Sequence, residues 1–371
     1  MVTLMYARRL ATSLALVLVA CSAARAQSDP AAKGPNATRS QRYTITVQGS
    51  STSIDIRLPA AASFARPVVV ICHGWAYSIG NYESIAEHLA SRGFAAVLYS
   101  QPNLFGTNTQ TWASQMKDAI SEVARLNGKT TSGVFGELDM NKVGLLGHSY
   151  GGACVSMLAG QDARVKTVVA MAPVNQWTWS SVISATAQIK SPFLVLAGSS
   201  DWLARESYTR PLYNAATRAP EKQYVEVSGA GHVFMIGSGS QAVLASRYYT
   251  SWLERFLMGK DDAAGWTNGT KAKQQEQQGV LSHSGHSVLG ASSATPSTGT
   301  SAPASNLLQV GSTGQAVKDL QTKLKSLGFF SSAVDGDFGP LTEAAVKSFQ
   351  NSKGLQADGV VGTLTRTALG L

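Results

Sequence analysis

Six short apolar runs alternate with helical patterns through the middle of this 371-residue chain. Runs that are apolar without interruption are typical of strands buried on both faces of a parallel sheet that helices cover. Two runs of alternating polarity, Tyr43–Val47 and Ser53–Leu58, come first and predict an antiparallel hairpin. The six runs are Val68–Cys72, Ala95–Tyr99, Lys142–Leu146, Lys166–Met171, Phe193–Ala197 and Gln223–Val227. The pattern predicts an α/β domain over residues 43–268 with a mostly parallel, eight-stranded sheet.

The third apolar run leads directly into GHSYG, residues 147–151, and a helix of small residues follows. Glycines two before and two after a serine let the chain make a sharp turn from strand to helix. Such a turn exposes the serine hydroxyl beside a helix N-terminus, where negative charge is favoured. Ser149 is therefore the candidate nucleophile. We interpret its neighbour His148 as structural.

A serine hydroxyl needs a general base, and the base needs a group that orients it. Asp201 follows the fifth apolar run and His232 follows the sixth. The carboxyl ends of parallel strands open into one crevice, so we expect both side chains to meet Ser149 there. The other histidines after Asp201 are His283 and His286, in a polar segment where we expect neither a base nor metal ligands. We predict no metal and no cofactor.

Backbone N–H groups and tryptophans complete the candidate site. An oxyanion hole needs two N–H donors, and we expect them from Trp75, after the first apolar run, and Tyr150, after the nucleophile. Trp177, Trp179 and Trp202 lie on loops after later strands, where ligands bind. Flat aromatic rings suit apolar substrates, so these three residues are predicted to line the substrate pocket.

The N-terminus has the pattern of an export signal. Arg8 and Arg9 precede the apolar run Leu10–Ala20, which is too short to span a bilayer. A small-x-small cleavage site ends at Ala26, which predicts a signal over residues 1–26. The segment before Cys21 also resembles a bacterial lipoprotein signal, in which that cysteine is acylated. We expect a periplasmic or extracellular protein associated with the cell wall, or alternatively a membrane-anchored lipoprotein, with no transmembrane segment after signal removal.

Composition changes on both sides of the α/β domain. Residues 27–42 are small and polar and predict a flexible tether, and residues 269–305 are rich in Ser, Thr, Gly and Gln and predict a flexible linker. The net charge is +9, but more than half of the excess lies in residues 1–42, which carry six basic residues and one acidic residue. No folded part therefore has a basic surface for nucleic acid, and we exclude nucleic acid as a partner.

Residues 306–371 contain an internal repeat. The repeated segments are AVKDLQ (316–321) with AVKSFQ (345–350), and DGDFGPLT (335–342) with DGVVGTLT (358–365). The Asp-Gly pairs mark turns. The repeat predicts a small all-α module of three short helices.

The first of these helices has an apolar stripe formed by Val317, Leu320, Leu324 and Leu327. With the repeat, this pattern resembles the peptidoglycan-binding module of bacterial cell-wall hydrolases. The resemblance implies that residues 306–371 bind peptidoglycan and do not cut it.

Five segments of the α/β domain also carry a resemblance. They are LASRGF (89–94), LDMNKVG (138–144), GHSYG (147–151), GAGH (229–232) and WLERF (252–256). The domain resembles α/β-hydrolases of the dienelactone-hydrolase-like and cutinase-like type, close to bacterial polyester hydrolases. The resemblance implies an α/β-hydrolase fold, a catalytic triad of Ser149, Asp201 and His232, and oxyanion donors at Trp75 and Tyr150.

Two positions depart from the polyester-hydrolase pattern. Those enzymes usually have Met after the nucleophile, where this chain has Tyr150, and Trp after an Ala-Pro pair, where this chain has Val174. The first functional hypothesis is a serine carboxylic-ester hydrolase with an acyl-enzyme mechanism, exported, tethered to the cell wall and acting on a small or polymeric ester. The alternatives are a non-catalytic cell-wall adaptor with a hydrolase-like fold, and a peptidase or amidase that uses the same triad.

Overall fold

The structure is a computed structural model that describes residues 29–61, 64–174, 179–260, 264–289, 308–309, 312–353, 355 and 359–371. The predicted export signal, with Cys21, lies outside the described residues, as does Trp177. Of the helices in the described ranges, none has the length and apolar character needed to cross a membrane.

Nine strands form a single sheet in the part of the chain that the structure describes. They are β1 (Thr38–Val47), β2 (Ser50–Pro59), β3 (Arg66–Cys72), β4 (Ala95–Tyr99), β5 (Leu138–His148), β6 (Val165–Met171), β7 (Phe193–Gly198), β8 (Glu221–Val227) and β9 (Leu281–Val288). Their order is β1-β2-β4-β3-β5-β6-β7-β8-β9. Strands β3 to β8 run parallel, whereas β1, β2 and β9 pair antiparallel with their neighbours. The sheet is mostly parallel, as predicted, but has one strand more than the eight expected.

Helices cover both faces of this sheet. They are α1 (Glu83–Ser91), α2 (Thr109–Gly128), α3 (Tyr150–Ala159), α4 (Trp179–Thr186), α5 (Glu206–Ala215), α6 (Ser240–Met258), α7 (Ala264–Thr267) and α8 (Thr270–Gln277). Trp112 of α2 and Val155 of α3 belong to one apolar cluster, and Leu89 of α1 and Trp252 of α6 belong to the other. The sheet therefore lies between two helical layers.

Strand β3 shows why the parallel strands are apolar without interruption. All seven of its residues are buried. Val68 and Val70 pack into one apolar cluster, while Val69 and Ile71 pack into the other. Successive side chains of a strand point to opposite faces, so a strand in a sheet with helices on both faces needs apolar residues at successive positions. Each such side chain contributes about 1.5–3 kcal/mol when fully buried.

Residues 29–37 pack against the domain and residues 38–42 lie in β1, so the prediction of a flexible tether over residues 27–42 is wrong for all of its described residues. The Asp29 carboxylate pairs with an arginine of α6 at 2.6 Å. The Gly34 N–H donates to the Ser91 hydroxyl at 2.8 Å, and a Cβ at Gly34 would lie 2.2 Å from the Ser91 carbonyl oxygen. Two of these contacts are polar, and the third requires a glycine because there is no space for a side chain. None of them leaves an apolar pattern in the sequence.

Helix α8 and strand β9 occupy the first half of the predicted linker over residues 269–305, which corrects that prediction. Strand β9 pairs with β8 along its length, and His286 Nε2 lies 2.9 Å from Glu221 Oε1. Only Leu281 and Ser284 of its eight residues are buried. Backbone pairing and polar contacts hold this edge strand, so it lacks the apolar alternation by which strands are recognised.

The C-terminal module contains three helices among its described residues, as the repeat predicted. They are α9 (Gln315–Ser326), α10 (Pro340–Ser352) and α11 (Thr363–Leu369). Val317, Leu320 and Leu324 are fully buried. Leu327 is 44% exposed and does not belong to the stripe, because α9 ends one residue before it.

Two glutamines occupy equivalent positions in the module. The side-chain oxygens of Gln321 and Gln350 accept the N–H groups of Gly336 and Gly359, both at 2.9 Å. Each glutamine Nε2 donates to a threonine hydroxyl of the following helix, at 3.0 and 3.1 Å. Both glycines have left-handed backbone angles, with φ of 85° and 79°. The sequence repeat is thus a repeat of one turn-and-helix unit around a buried amide.

Candidate active site

Ser149 lies on the turn between β5 and α3. Its φ of 57° and ψ of −123° are strained for a residue with a side chain, at a cost of about 1–3 kcal/mol. A Cβ on Gly147 would lie 2.2 Å from the Gly151 carbonyl oxygen, and one on Gly151 would lie 2.4 Å from the Cys72 carbonyl oxygen. Both positions therefore require glycine. The turn holds the Ser149 side chain beside the N-terminus of α3.

The structure brings Ser149, His232 and Asp201 together. His232 Nε2 lies 2.9 Å from Ser149 Oγ, and His232 Nδ1 lies 2.8 Å from Asp201 Oδ2. A carboxylate only accepts hydrogen bonds, so the Nδ1 position carries the proton and Nε2 is left as an acceptor for the serine hydroxyl. The three side chains come from the ends of β5, β7 and β8, at the same edge of the sheet.

The Asp201 carboxylate is fixed on both of its oxygens. Its Oδ1 accepts the N–H groups of Leu203 at 2.9 Å and Ala204 at 2.8 Å, while Oδ2 faces His232. The side chain is fully buried. Because backbone donors hold the carboxylate in one orientation, it can orient the His232 ring.

Two other histidines line the same region. The His148 ring is completely buried, and this desolvation lowers its pKa to about 3. Burial also lowers the pKa of His73, whose Nε2 accepts the Gln101 N–H at 2.9 Å. Both rings are therefore neutral near pH 7, and their nitrogens hold backbone groups of the loops. His232 is the histidine whose ring contacts Ser149.

Of the two predicted oxyanion donors, Trp75 follows Gly74 and Tyr150 is the first residue of α3. A Cβ at Gly74 would lie 3.2 Å from the Ser149 Cβ, so the backbone leading to Trp75 passes against the serine. The Tyr150 N–H is the first of α3. The Tyr150 side chain points away from the cleft, because it is 2% exposed and its hydroxyl accepts a hydrogen bond from Thr109 at 3.2 Å.

Exposed aromatic rings lie on loops at this edge of the sheet. Trp75 is 38% exposed and Trp202 is 74% exposed. Phe105, on the loop after β4, is 62% exposed, and its ring meets that of Trp75 edge-on at 5.5 Å. Sequence reasoning missed Phe105, although an aromatic residue within the polar loop after a strand was a usable signal. The side chain of Trp179, at the start of α4, and the whole of Trp177 lie outside what the structure describes.

A mostly parallel sheet between helical layers, with a serine on a strained strand-to-helix turn and a histidine–aspartate pair beside it, defines an α/β-hydrolase. Comparison with protein families agrees with this class. Residues 22–282 match the PET hydrolase-like family, and residues 313–369 match a peptidoglycan binding domain. The chain belongs to the PET hydrolase-like family, which places it among the enzymes that hydrolyse ester bonds.

Known relatives of the α/β domain include cutinases. Cutinase 2 of Thermobifida cellulosilytica and cutinase cut1 of Thermobifida fusca are each 26% identical over 192 residues, 51% of this chain. The chain spans 68% of the length of the first and 56% of the second. A bis(hydroxyethyl) terephthalate hydrolase of Streptomyces coelicolor is 24% identical over 194 residues, again 51% of this chain and 56% of that enzyme.

Proposed function

We propose that this chain is an exported serine carboxylic-ester hydrolase, held at the cell wall by residues 306–371. The observation that carries the proposal is the position of His232, whose ring meets Ser149 on one side and Asp201 on the other. This arrangement gives a serine hydroxyl the base that it needs. A non-catalytic adaptor would not require such an arrangement.

The reaction proceeds through an acyl-enzyme. His232 Nε2 takes the proton of the Ser149 hydroxyl while Oγ attacks the ester carbonyl carbon. The bond to the alcohol oxygen then breaks, and His232 gives its proton to the departing alcohol. Water attacks the acyl-enzyme with the same base, which releases the acid and returns the proton to Ser149. Asp201 stays ionised and stabilises the protonated ring.

The backbone N–H groups of Trp75 and Tyr150 stabilise the oxyanion. Gly74, just before Trp75, packs against the Ser149 side chain, and Tyr150 directly follows the serine. The dipole of α3 adds to the stabilisation because its N-terminus faces the developing negative charge. Loss of one oxyanion donor typically lowers kcat by about 10²–10³-fold.

The cleft is open and suits flat or short apolar acyl groups. Trp75, Phe105 and Trp202 place exposed rings beside the site. Helices α3 and α4 and strands β6 and β7 take up most of the chain between Ser149 and Asp201, so this connection has no room for a lid domain. The relatives that are named as cutinases and as a terephthalate ester hydrolase support ester substrates of this kind.

Graded substrates test the function. We expect purified protein to hydrolyse p-nitrophenyl butyrate and benzoate, and to be labelled by a fluorophosphonate at Ser149. Faster turnover of a matched p-nitroanilide would instead favour an amidase, and no labelling with no turnover would favour the adaptor. A preference that rises steadily from butyrate through laurate to palmitate, with a rate jump above the micelle concentration, would contradict the open cleft.

A further inference from the structure

A buried chain of hydrogen bonds runs through Tyr82 and His148. The Gly74 N–H donates to the Tyr82 hydroxyl oxygen at 2.9 Å, and this hydroxyl lies 2.7 Å from His148 Nδ1. His148 Nε2 lies 2.9 Å from the His232 carbonyl oxygen. Tyr82 and His148 are both 0% exposed. This network of hydrogen bonds thus joins the loop after β3, the N-terminal side of α1, the end of β5 and the loop after β8.

The direction of each of the three hydrogen bonds in this network is determined. The His232 carbonyl can only accept, so His148 Nε2 carries the proton. Because the buried His148 ring is neutral, its Nδ1 must accept, and the Tyr82 hydroxyl must donate to it. The Gly74 N–H can only donate, and it uses the remaining acceptor site of Tyr82. Every polar group is satisfied in one arrangement, which makes the network rigid.

Both ends of the network are backbone groups beside the reacting atoms. Gly74 precedes Trp75, and a Cβ on Gly74 would lie 3.2 Å from the Ser149 Cβ and 3.3 Å from His148 Nδ1. The other end is the carbonyl of His232, whose ring meets Ser149 Oγ. Displacement of a catalytic group by about 1 Å can cost about 10²-fold in rate, so fixing these two backbones matters to catalysis.

We propose that Tyr82 is a positioning residue. It acts through His148 to hold the Gly74–Trp75 backbone and the backbone of His232 in place beside Ser149. This proposal rests on the proposed function. It assigns a role to a tyrosine that does not contact the serine, and it extends the structural interpretation of His148.

The test compares Tyr82→Phe with Tyr248→Phe. Tyr248 is also buried, at 1% exposed, and its hydroxyl donates to Gln275 Oε1 at 2.7 Å, the same distance that separates the Tyr82 hydroxyl from His148 Nδ1. We expect Tyr82→Phe to lower kcat for p-nitrophenyl butyrate by about 10–100-fold with KM within about 2-fold. Tyr248→Phe should keep kcat within about 2-fold of wild type. Equal kcat in wild type and Tyr82→Phe, or equal loss in both variants, would overturn the proposal.

A second comparison tests whether the two side chains act as one unit. His148→Leu should lower kcat at least as much as Tyr82→Phe, and the double variant should fall no further than His148→Leu, within about 3-fold. Losses that multiply would contradict a single network. Ser149→Ala is measured in the same assay: if it turns over ester as fast as wild type, the proposed function itself fails. An inactive Ser149→Ala together with a fully active Tyr82→Phe refutes only the positioning role.

Discussion

The candidate active site of the α/β domain and the C-terminal module are built in opposite ways. At the candidate active site, Ser149, Asp201 and His232 each occur once and come from the ends of different strands. In the module, one turn-and-helix unit occurs twice, with Gln321 and Gln350 in equivalent places. Bond cleavage needs different groups at one point, whereas binding a repetitive polymer needs a surface. Substitutions should therefore impair ester turnover and peptidoglycan binding independently.

The largest effect is expected at Ser149, the proposed nucleophile. Ser149→Ala should lower turnover of an activated ester by at least about 10⁴-fold, because triad members act as one unit. Its co-sedimentation with purified peptidoglycan should not change. A variant that retains activity within tenfold of wild type would show that the serine is not the nucleophile.

The orienting carboxylate should matter less, but still strongly. Asp201→Asn should lower kcat by about 10³-fold, because an amide at this position favours the wrong tautomer of His232. Asp162→Asn is the matched control, since Asp162 is also buried and its carboxylate pairs with Arg164 at 2.6 Å. We expect the control to stay within about 2-fold. Equal activity of both variants would mean that another acid orients the histidine.

Removing the module should abolish binding and spare catalysis. A chain that ends at Leu289 should hydrolyse soluble esters within about 2-fold of wild type and lose at least about tenfold in sedimentation with peptidoglycan, because it lacks residues 313–369, the segment that matches a peptidoglycan binding domain. A chain that ends at Lys271 should be much less stable, since it lacks β9, which pairs with β8 along its whole length. Unchanged sedimentation of the Leu289 chain would refute wall binding by the module.

The smallest effect is expected from one of the paired amides. Gln350→Leu should destabilise the module by about 1–3 kcal/mol, because it leaves the Gly359 N–H buried without its acceptor. Ester turnover should not change. Gln315→Leu on the exposed face of α9 serves as the control and should cost less than about 0.5 kcal/mol, because it removes only an exposed hydrogen bond to Asp319. A loss of ester turnover in Gln350→Leu would show that the two parts depend on each other.

Local chemistry explains which features the sequence could predict. The turn at Ser149 needs two glycines within five residues, so it is visible in a short segment. The hydrogen bond between Tyr82 and His148 joins residues 66 positions apart and leaves no pattern. Strand β9 was missed for a different reason, because its backbone pairs in the sheet while most of its side chains stay exposed.

The same reasoning applies to the predicted pocket. Trp202 was predicted for the pocket and Trp75 for the oxyanion hole because both residues follow strands. Whether their rings face solvent or core depends on how the loops close, and this is set by contacts such as that between the Trp75 and Phe105 rings. Composition does not encode such a contact. Residues that act through shape are therefore harder to predict than residues that act through reactive atoms.

The order of the strands also has a mechanical consequence. Strand β5, which leads to Ser149, is the fifth of nine, with four strands on each side. Tension on a wall-bound C-terminus would enter the sheet at its edge strand β9, about 19 Å across the sheet from β5 at the usual spacing of strands. The backbone ladder between β8 and β9 would carry that load first and would yield first. The serine thus lies on the strand that is farthest from either edge, where pulling on the chain strains it least.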